Sequence, residues 1–236
     1  MARRSGYFRQ DWPANGLTYD VKEIPYRAAR DFVTRHHYAH GMSNSAQGCY
    51  GLFDRGWLIG AIAFCVPVQE RVRQNIFGAE HASRVTELSR LVILDVTPPN
   101  AESYFISRAL RMLHADRPDF WGVVAYADPT AGHVGTIYQA TCSRYWGLSR
   151  PVTTYMEPSG RLRHQKQCKH HVTLAEAETR GWSPVHRCGK HRYLFYLPAD
   201  RRHRRELEER SLVEALPYPT EGSTKNGIAP RGAFFK

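Results

Sequence analysis

The chain has 236 residues, 42% hydrophobic and 12% aromatic, which suits one folded domain, alone or with appendages. This composition excludes a disordered chain, and no apolar run approaches the roughly 20 residues that a membrane helix needs. The formal net charge is +11, and residues 161–236 carry 16 Lys and Arg against 8 Asp and Glu. The asymmetry predicts an anionic partner, nucleic acid above all, although a basic surface can also serve solubility alone.

The first half of the chain alternates strand and helix patterns. The predicted elements are a strand in residues 16–26, a helix in 27–38, a hairpin in 48–66 that turns at Asp54, and a strong strand in 86–95. Between the hairpin and the last strand, residues 69–84 are polar and irregular, which predicts a surface loop.

The second half continues the alternation. A helix is predicted in residues 101–113, with apolar residues at 105, 106, 109, 110 and 113 on one face. It is followed by a buried strand in 121–128, a short helix in 133–142, a strand or hairpin in 145–160, a short helix in 173–180, a strand in 191–198 and a charged helix in 201–216. Strand–helix–strand order implies a parallel pair within a mixed α/β sheet, and ligands usually bind where such strands part at their carboxyl ends.

Three polar residues lie in or directly after the central strands. Asp128 closes the strand at 121–128, where a carboxylate can act as a base, orient another group or bind a metal. Tyr138 follows on the short helix and can donate a proton or stack on a base, although core packing is the alternative. Arg90 sits inside an apolar strand and needs a partner, either in a buried ion pair or in an anionic ligand. Strict alternation places Arg90 and Leu88 on one face, opposite Glu87.

Two helix ends carry further candidates. Ser103 lies in the first turn of a helix, whose free N–H groups suit a phosphate; an ordinary helix start capped by Asn100 is the alternative. His36, His37 and His40 lie at the C-terminal end of the helix predicted in residues 27–38, where the dipole stabilises histidines. His36 and His40 could share a metal only if that helix extends to both, whereas His37 could act separately as a base or ligand.

Basic residues concentrate after residue 160. The candidates for phosphate contacts are Arg161, Arg163, Lys166 and Lys169. Cys168 and Cys188 lie near histidines, but neither has a CxxC partner, so the spacing fits no common zinc module. A basic surface that follows the phosphates of a nucleic acid is therefore the preferred interpretation of this region.

Four motifs together resemble one known family. They are "RHHY", "TELSRLVI", "NAESYFISRALRML" and "VVAYADPTAGHVGTIYQAT". They are similar to the Mom family of phage DNA-modification proteins, over roughly residues 20–150. The resemblance implies a GNAT-like mixed sheet with a central splayed parallel strand pair, flanked by helices. It also implies an enzyme that converts adenine in DNA to N6-carbamoylmethyladenine and so protects phage DNA from restriction.

The same resemblance implies the functional residues. The positions that match residues implicated in activity are His37, Arg90, Ser103, Asp128 and Tyr138. Arg90, Leu91 and Ser103 would anchor the carrier of the transferred group. His37 and Asp128 would be iron ligands in the metal-dependent interpretation of the family, and Tyr138 a proton donor or a platform for the adenine.

The resemblance leaves the donor open. Acetyl-CoA alone would give an N6-acetyl amide, and the usual glycine-rich pyrophosphate loop is missing, so an aminoacyl donor such as glycyl-tRNA is the alternative. The expected partner is double-stranded DNA, in the cytoplasm of the host cell if a phage encodes the protein; a homodimer is compatible with the sequence, although no interface stripe is visible.

Domain boundaries follow from the resemblance and the charge pattern. An N-terminal arm is expected in residues 1–19, a GNAT-like catalytic domain in 20–200 with a basic part in 161–200, and a charged helix with a flexible tail in 201–236. Two other functions stay open: an ordinary GNAT enzyme that acetylates a protein, an RNA or a small molecule, and a non-enzymatic DNA-binding module.

Overall fold

The computed structural model describes residues 19–38, 40–164, 168 and 170–220. The strands are β1 (Tyr19–Glu23), β2 (Ala46–Asp54), β3 (Trp57–Cys65), β4 (Val85–Ile93), β5 (Gly122–Ala127), β6 (Arg144–Leu148), β7 (Val152–Met156), β8 (Leu162–His164), β9 (Ser183–Arg187) and β10 (His191–Tyr196). The helices are α1 (Tyr26–His36), α2 (Glu70–Phe77), α3 (Ala101–Asp116), α4 (Thr136–Gln139), α5 (Leu174–Thr179) and α6 (Arg201–Arg210). None of the helices in these residues combines the length and the apolar character needed to cross a bilayer.

The described residues divide into two compact units. The first contains the described residues within 19–126, 135–146 and 192–218, and the second contains those within 127–134, 147–191 and 219–220. A sheet of three antiparallel strands, in the order β8-β7-β9, belongs to the second unit. Its small core is formed by Tyr155, Val172 and Ala177.

A seven-stranded sheet, in the order β1-β2-β3-β4-β5-β10-β6, dominates the fold. Strands β1 to β4 pair antiparallel, whereas β4 and β5 pair parallel. The parallel pairing joins only Val85–Leu88 to Gly122–Ala125, although β4 continues to Ile93. The two strands therefore part beyond Leu88, which confirms the predicted mixed sheet with a splayed parallel pair.

A β-bulge in β4 lies where the splay begins. Arg90 pairs with Ala63 of β3 and Leu88 with Phe64, so Ser89 is an extra residue without its own partner on β3. Because Ala63 and Phe64 point to opposite faces, Arg90 and Leu88 do so as well. The prediction that Arg90 shares a face with Leu88 is wrong, since a bulge interrupts the alternation on which it relied.

The α1 face of the sheet forms one hydrophobic cluster. Ala29, Phe32 and Val33 of α1 pack in a cluster with Ala63 and Cys65 of β3. Each large apolar side chain buried in this way stabilises the fold by about 1.5–3 kcal/mol. Glu87 pairs with Cys65 and Arg90 with Ala63, so both charged side chains of β4 belong to this same face.

Helix α3 buries the apolar face predicted from its sequence, which comprises Phe105, Ile106, Ala109, Leu110 and Leu113. The prediction of a surface loop in residues 69–84 is wrong. Helix α2 and a 3-10 helix (Ala79–Arg84) occupy it, because Ile76 and Phe77 have an apolar core to fill. Strand β9 was not predicted, and the short helix predicted in 133–142 is a single turn.

Candidate active site

The guanidinium of Arg90 is fixed by main-chain carbonyl groups. Its Nε donates to the carbonyl oxygen of Gly41 at 2.7 Å, and its Nη1 donates to that of Ser89 at 2.6 Å. The first bond ties the segment after α1 to the bulge of β4. Arg90 therefore holds a fixed positive charge at the point where the parallel strands separate.

His37 lies at the C-terminal end of α1 and is half-buried there. Its backbone N–H donates to Val33, and its ring stacks on Tyr38 with the centroids 4.3 Å apart. Burial, followed by the positive charges of Arg90 and His40, lowers the pKa of His37 from 6.5 to about 4. The imidazole is therefore neutral near pH 7, in the form that can accept a proton or bind a metal.

We expect the His37 imidazole to titrate near pH 4 in an NMR pH titration, and its pKa to rise toward 6.5 in the Arg90→Gln variant, which removes one nearby positive charge. Because the folded-state pKa lies below the unfolded value, the same group destabilises the fold as the pH falls from about 6.5 to about 4. Arg27→Gln, at the exposed start of α1, is the matched control. If the pKa of His37 does not shift in Arg90→Gln, the charge of Arg90 does not act on the imidazole.

Glu87 is a functional candidate that the sequence interpretation missed. Burial raises the pKa of the Cys65 thiol, and Ser89, Glu87 and Arg90 of β4 also act on it, which agrees with one shared face. Glu87 likewise helps to raise the pKa of Tyr138, after burial and two tyrosines. Strict alternation places Glu87 and Arg90 on opposite faces of the strand, and only the bulge at Ser89 brings both to the same face.

Tyr138 is buried in an aromatic cluster. Its ring lies 5.4 Å from Tyr193 and 6.1 Å from Phe195. Burial, followed by Tyr38, Tyr193 and Glu87, raises its pKa well above the usual value, so the phenol stays protonated. The position thus combines core packing with a hydroxyl that can donate a proton or a hydrogen bond.

The predicted carrier contacts show no arrangement specific for a phosphate. Ser103 is buried, and its hydroxyl donates to the carbonyl oxygen of Asn100 at 3.0 Å. Asn100 has the left-handed backbone conformation, with a φ of 75°, and its side chain makes no capping hydrogen bond. Leu91 pairs with Ile62 of β3 and is half-buried. A role for Ser103 and Leu91 in holding the donor stays a prediction.

Asp128 belongs to the second unit and is held there by three neighbours. Its Oδ1 accepts from the N–H of Thr130 at 3.0 Å and from the hydroxyl of Thr130 at 2.5 Å. Its Oδ2 lies 3.2 Å from Nη2 of Arg187 and 3.3 Å from Nζ of Lys190. Burial raises the pKa of the carboxyl, but Thr130 and the two cations together lower it below its usual value. Asp128 is therefore ionised at neutral pH.

The predicted DNA contacts also lie in the second unit. Arg161 is exposed after the turn that follows β7. Arg163, on β8, forms a 2.6 Å hydrogen bond with Glu157 and lies 5.9 Å from the ring centre of Trp182. Lys166 and Lys169 lie outside the described residues, and DNA binding by the four stays a prediction.

Candidate metal ligands do not assemble into a centre in the described part of the chain. In these residues no group of three or more His, Cys, Asp or Glu side chains could hold a metal ion. Helix α1 ends at His36, so the condition for a shared site of His36 and His40 is not met. His37 belongs to the first unit and Asp128 to the second, and iron binding by the two stays a prediction.

Comparison with known proteins identifies a family whose model matches most of this chain. A model of the Mom protein family matches residues 18–220. The methylcarbamoylase Mom of Escherichia phage Mu is 25% identical over 206 residues, which cover 84% of this chain and 83% of that protein.

Solved structures of acetyltransferases are also similar. Spermidine N-acetyltransferase from Vibrio cholerae has a TM-score of 0.44 at 10% identity, over 76% of this chain and 94% of its own. Ribosomal-protein-S18-alanine N-acetyltransferase from Escherichia coli has a TM-score of 0.41 at 8% identity, with the same two coverages.

Proposed function

Because the chain belongs to the Mom protein family, we propose that it is a transferase that attaches a carbamoylmethyl group to N6 of adenine in DNA. The observation that carries this proposal is the match to a methylcarbamoylase over 84% of the chain. The net charge of +11 agrees with a polyanionic substrate. In a phage, such a modification would shield the DNA from restriction enzymes of the host.

The polar groups of the first unit suit the proton transfer that this reaction requires. Forming the bond from N6 to the methylene carbon removes one proton from N6, and the methylene carbon must lose its bond to a leaving group, which departs with the bonding electrons. The neutral imidazole of His37 is a base that can accept this proton, and the protonated phenol of Tyr138 can donate one to the leaving group. The fixed cation of Arg90 suits an anionic part of the donor.

The target base must leave the helix before it can react. N6 of a paired adenine is engaged in a hydrogen bond, so an enzyme that modifies it turns the nucleotide out of the duplex into its site. Basic residues such as Arg161 would hold the flanking phosphates. The proposal therefore requires both a site for a single base and a surface that follows the DNA backbone.

The structure of the product limits the choice of donor. An acetyl thioester alone would leave a carbonyl carbon on N6, whereas carbamoylmethyl places a methylene carbon there. A glycine-derived donor, such as an aminoacyl-tRNA, contains that methylene with nitrogen and carbonyl groups attached. N6 would displace the carrier from the carbonyl carbon, and N6 and the glycyl nitrogen would then exchange carbons, an isomerisation that gives the carbamoylmethyl group without loss of atoms. Acetyl-CoA would in addition need a source of the amide nitrogen. The prediction that the protein binds iron rests on the resemblance alone.

The test is the chemical state of adenine in DNA from cells that express the protein. The proposal predicts a deoxyadenosine that is heavier by one carbamoylmethyl group. An ordinary acetyltransferase would bind coenzyme A tightly and leave adenine unaltered, and a DNA-binding module would bind DNA without altering any nucleoside. Unaltered adenine beside soluble protein would contradict the proposal.

A further inference from the structure

Asp128, Thr130, Arg187 and Lys190 form one ion-pair cluster, here named the Asp128 cluster. The side chain of Asp128 is 9% exposed, whereas those of Arg187 and Lys190 are 32% and 49% exposed. One carboxylate cannot neutralise two cations, so the cluster keeps a surplus of one positive charge. The carboxylate of Asp128 is therefore buried, whereas the two cations that contact it are accessible to solvent.

The turn that carries Lys190 is hydrogen-bonded to Ser149. The N–H of Ser149 donates to the carbonyl oxygen of Lys190 at 2.8 Å, and the N–H of Lys190 donates to the hydroxyl of Ser149 at 2.9 Å. At Gly189, any Cβ would lie 1.8 Å from the carbonyl oxygen of Ser149, so only glycine fits. Arg187 is fixed separately, since it ends β9 and also contacts the hydroxyl of Thr130 at 2.5 Å.

We propose that Asp128 is a positioning residue, which holds Arg187 and Lys190 in place to bind one phosphate of a DNA duplex. The inference rests on the proposed function, because it needs DNA as the substrate. A planar guanidinium beside an ammonium group is a pairing well suited to a phosphate. The surroundings agree in charge, since residues 127–134 and 147–191 carry 8 Lys and Arg against 4 Asp and Glu.

The variant Asp128→Asn separates three roles of this carboxylate. The amide oxygen of Asn can still accept from Thr130, but the amide nitrogen then faces Arg187 and Lys190 and repels both. A positioning role predicts that affinity for DNA falls about tenfold, although the protein gains one positive charge. A role of charge alone predicts tighter binding, and a role as a general base predicts unchanged affinity with lost turnover.

The experiment measures binding of the full chain to a fluorescent DNA duplex at several salt concentrations. In the double variant Arg187→Ala/Lys190→Ala, we expect weaker binding and a slope of log K against log salt that is shallower by about 0.9, the contribution of one phosphate. The double variant Arg202→Ala/Arg205→Ala removes two exposed cations of α6 from the first unit and should leave the slope unchanged. Lys190→Arg keeps the charge and should retain the affinity.

Each outcome decides between the accounts. An unchanged slope in Arg187→Ala/Lys190→Ala would overturn the inference, and so would an equal change in the α6 control. The proposed function would still stand in either case if the wild-type protein binds and modifies DNA. A slope change seen with an RNA duplex but not with DNA would assign the cluster to an RNA partner and also overturn it. A wild-type protein that neither binds nor modifies DNA would contradict the proposed function itself.

Discussion

Replacing Tyr138 with Phe is expected to lower DNA modification by about 10²–10⁴-fold, the usual contribution of a proton donor in the transition state. The ring of Phe keeps the contacts with Tyr193 and Phe195, so the fold and its stability should change little. The variant therefore separates the hydroxyl from the packing that the ring supplies. The measurement is the fraction of modified deoxyadenosine at equal amounts of soluble protein.

Tyr193→Phe is the matched control from the same aromatic cluster. Tyr193 is fully buried, and its hydroxyl accepts a hydrogen bond from Gln139 at 3.2 Å, so its loss should cost about 1 kcal/mol of stability. Modification by Tyr193→Phe should stay close to the wild-type level. If Tyr138→Phe also modifies DNA at that level, Tyr138 has a packing role only.

Gly135→Ala is expected to destabilise the protein by about 2–5 kcal/mol, for two reasons that add. Gly135 precedes α4 with a φ of 82°, which an L side chain adopts only with strain. Its Cβ would also lie 2.4 Å from the ring of Tyr193, which is packed between other tyrosines and cannot move aside. Denaturant unfolding monitored by circular dichroism measures the loss.

Gly56→Ala isolates the first of these reasons. Gly56 has a φ of 85° in the turn between β2 and β3, and nothing lies within 4 Å of its Cβ position. This control should lose only about 1–2 kcal/mol, the strain of the left-handed conformation. Equal losses in both variants would show that the contact between residue 135 and Tyr193 adds nothing.

Much of the first unit could be predicted because its elements follow regular patterns. The hairpin of β2 and β3 has two apolar runs with Arg55 and Gly56 in its turn, both at positive φ, and α3 shows a clear apolar stripe. Residues 69–84 carry only a short apolar stripe, Val72, Ile76 and Phe77, among polar residues, so α2 was missed although Ile76 and Phe77 anchor it in the core. Strand β9 was missed because Ser183–Arg187 carries little apolar alternation.

The candidate sites depended more on tertiary pairing than on pattern. The bulge at Ser89 reverses the face of Arg90 relative to Leu88, and only the pairing with β3 reveals it. The ion pair of Asp128 with Arg187 joins residues 59 positions apart, a separation at which charge patterns carry no information. Individual polar residues could therefore be selected from the sequence, while their partners could not.

The measurement that tests the central claim most directly is nucleoside mass spectrometry of DNA from bacterial cells that express the protein. Plasmid DNA from cells with the wild-type chain, Tyr138→Phe and Tyr193→Phe would be digested to nucleosides and compared. We expect a deoxyadenosine heavier by one carbamoylmethyl group with the wild-type chain and Tyr193→Phe, and almost none with Tyr138→Phe. Unmodified deoxyadenosine in all three samples, with the wild-type protein soluble and folded, would contradict the account.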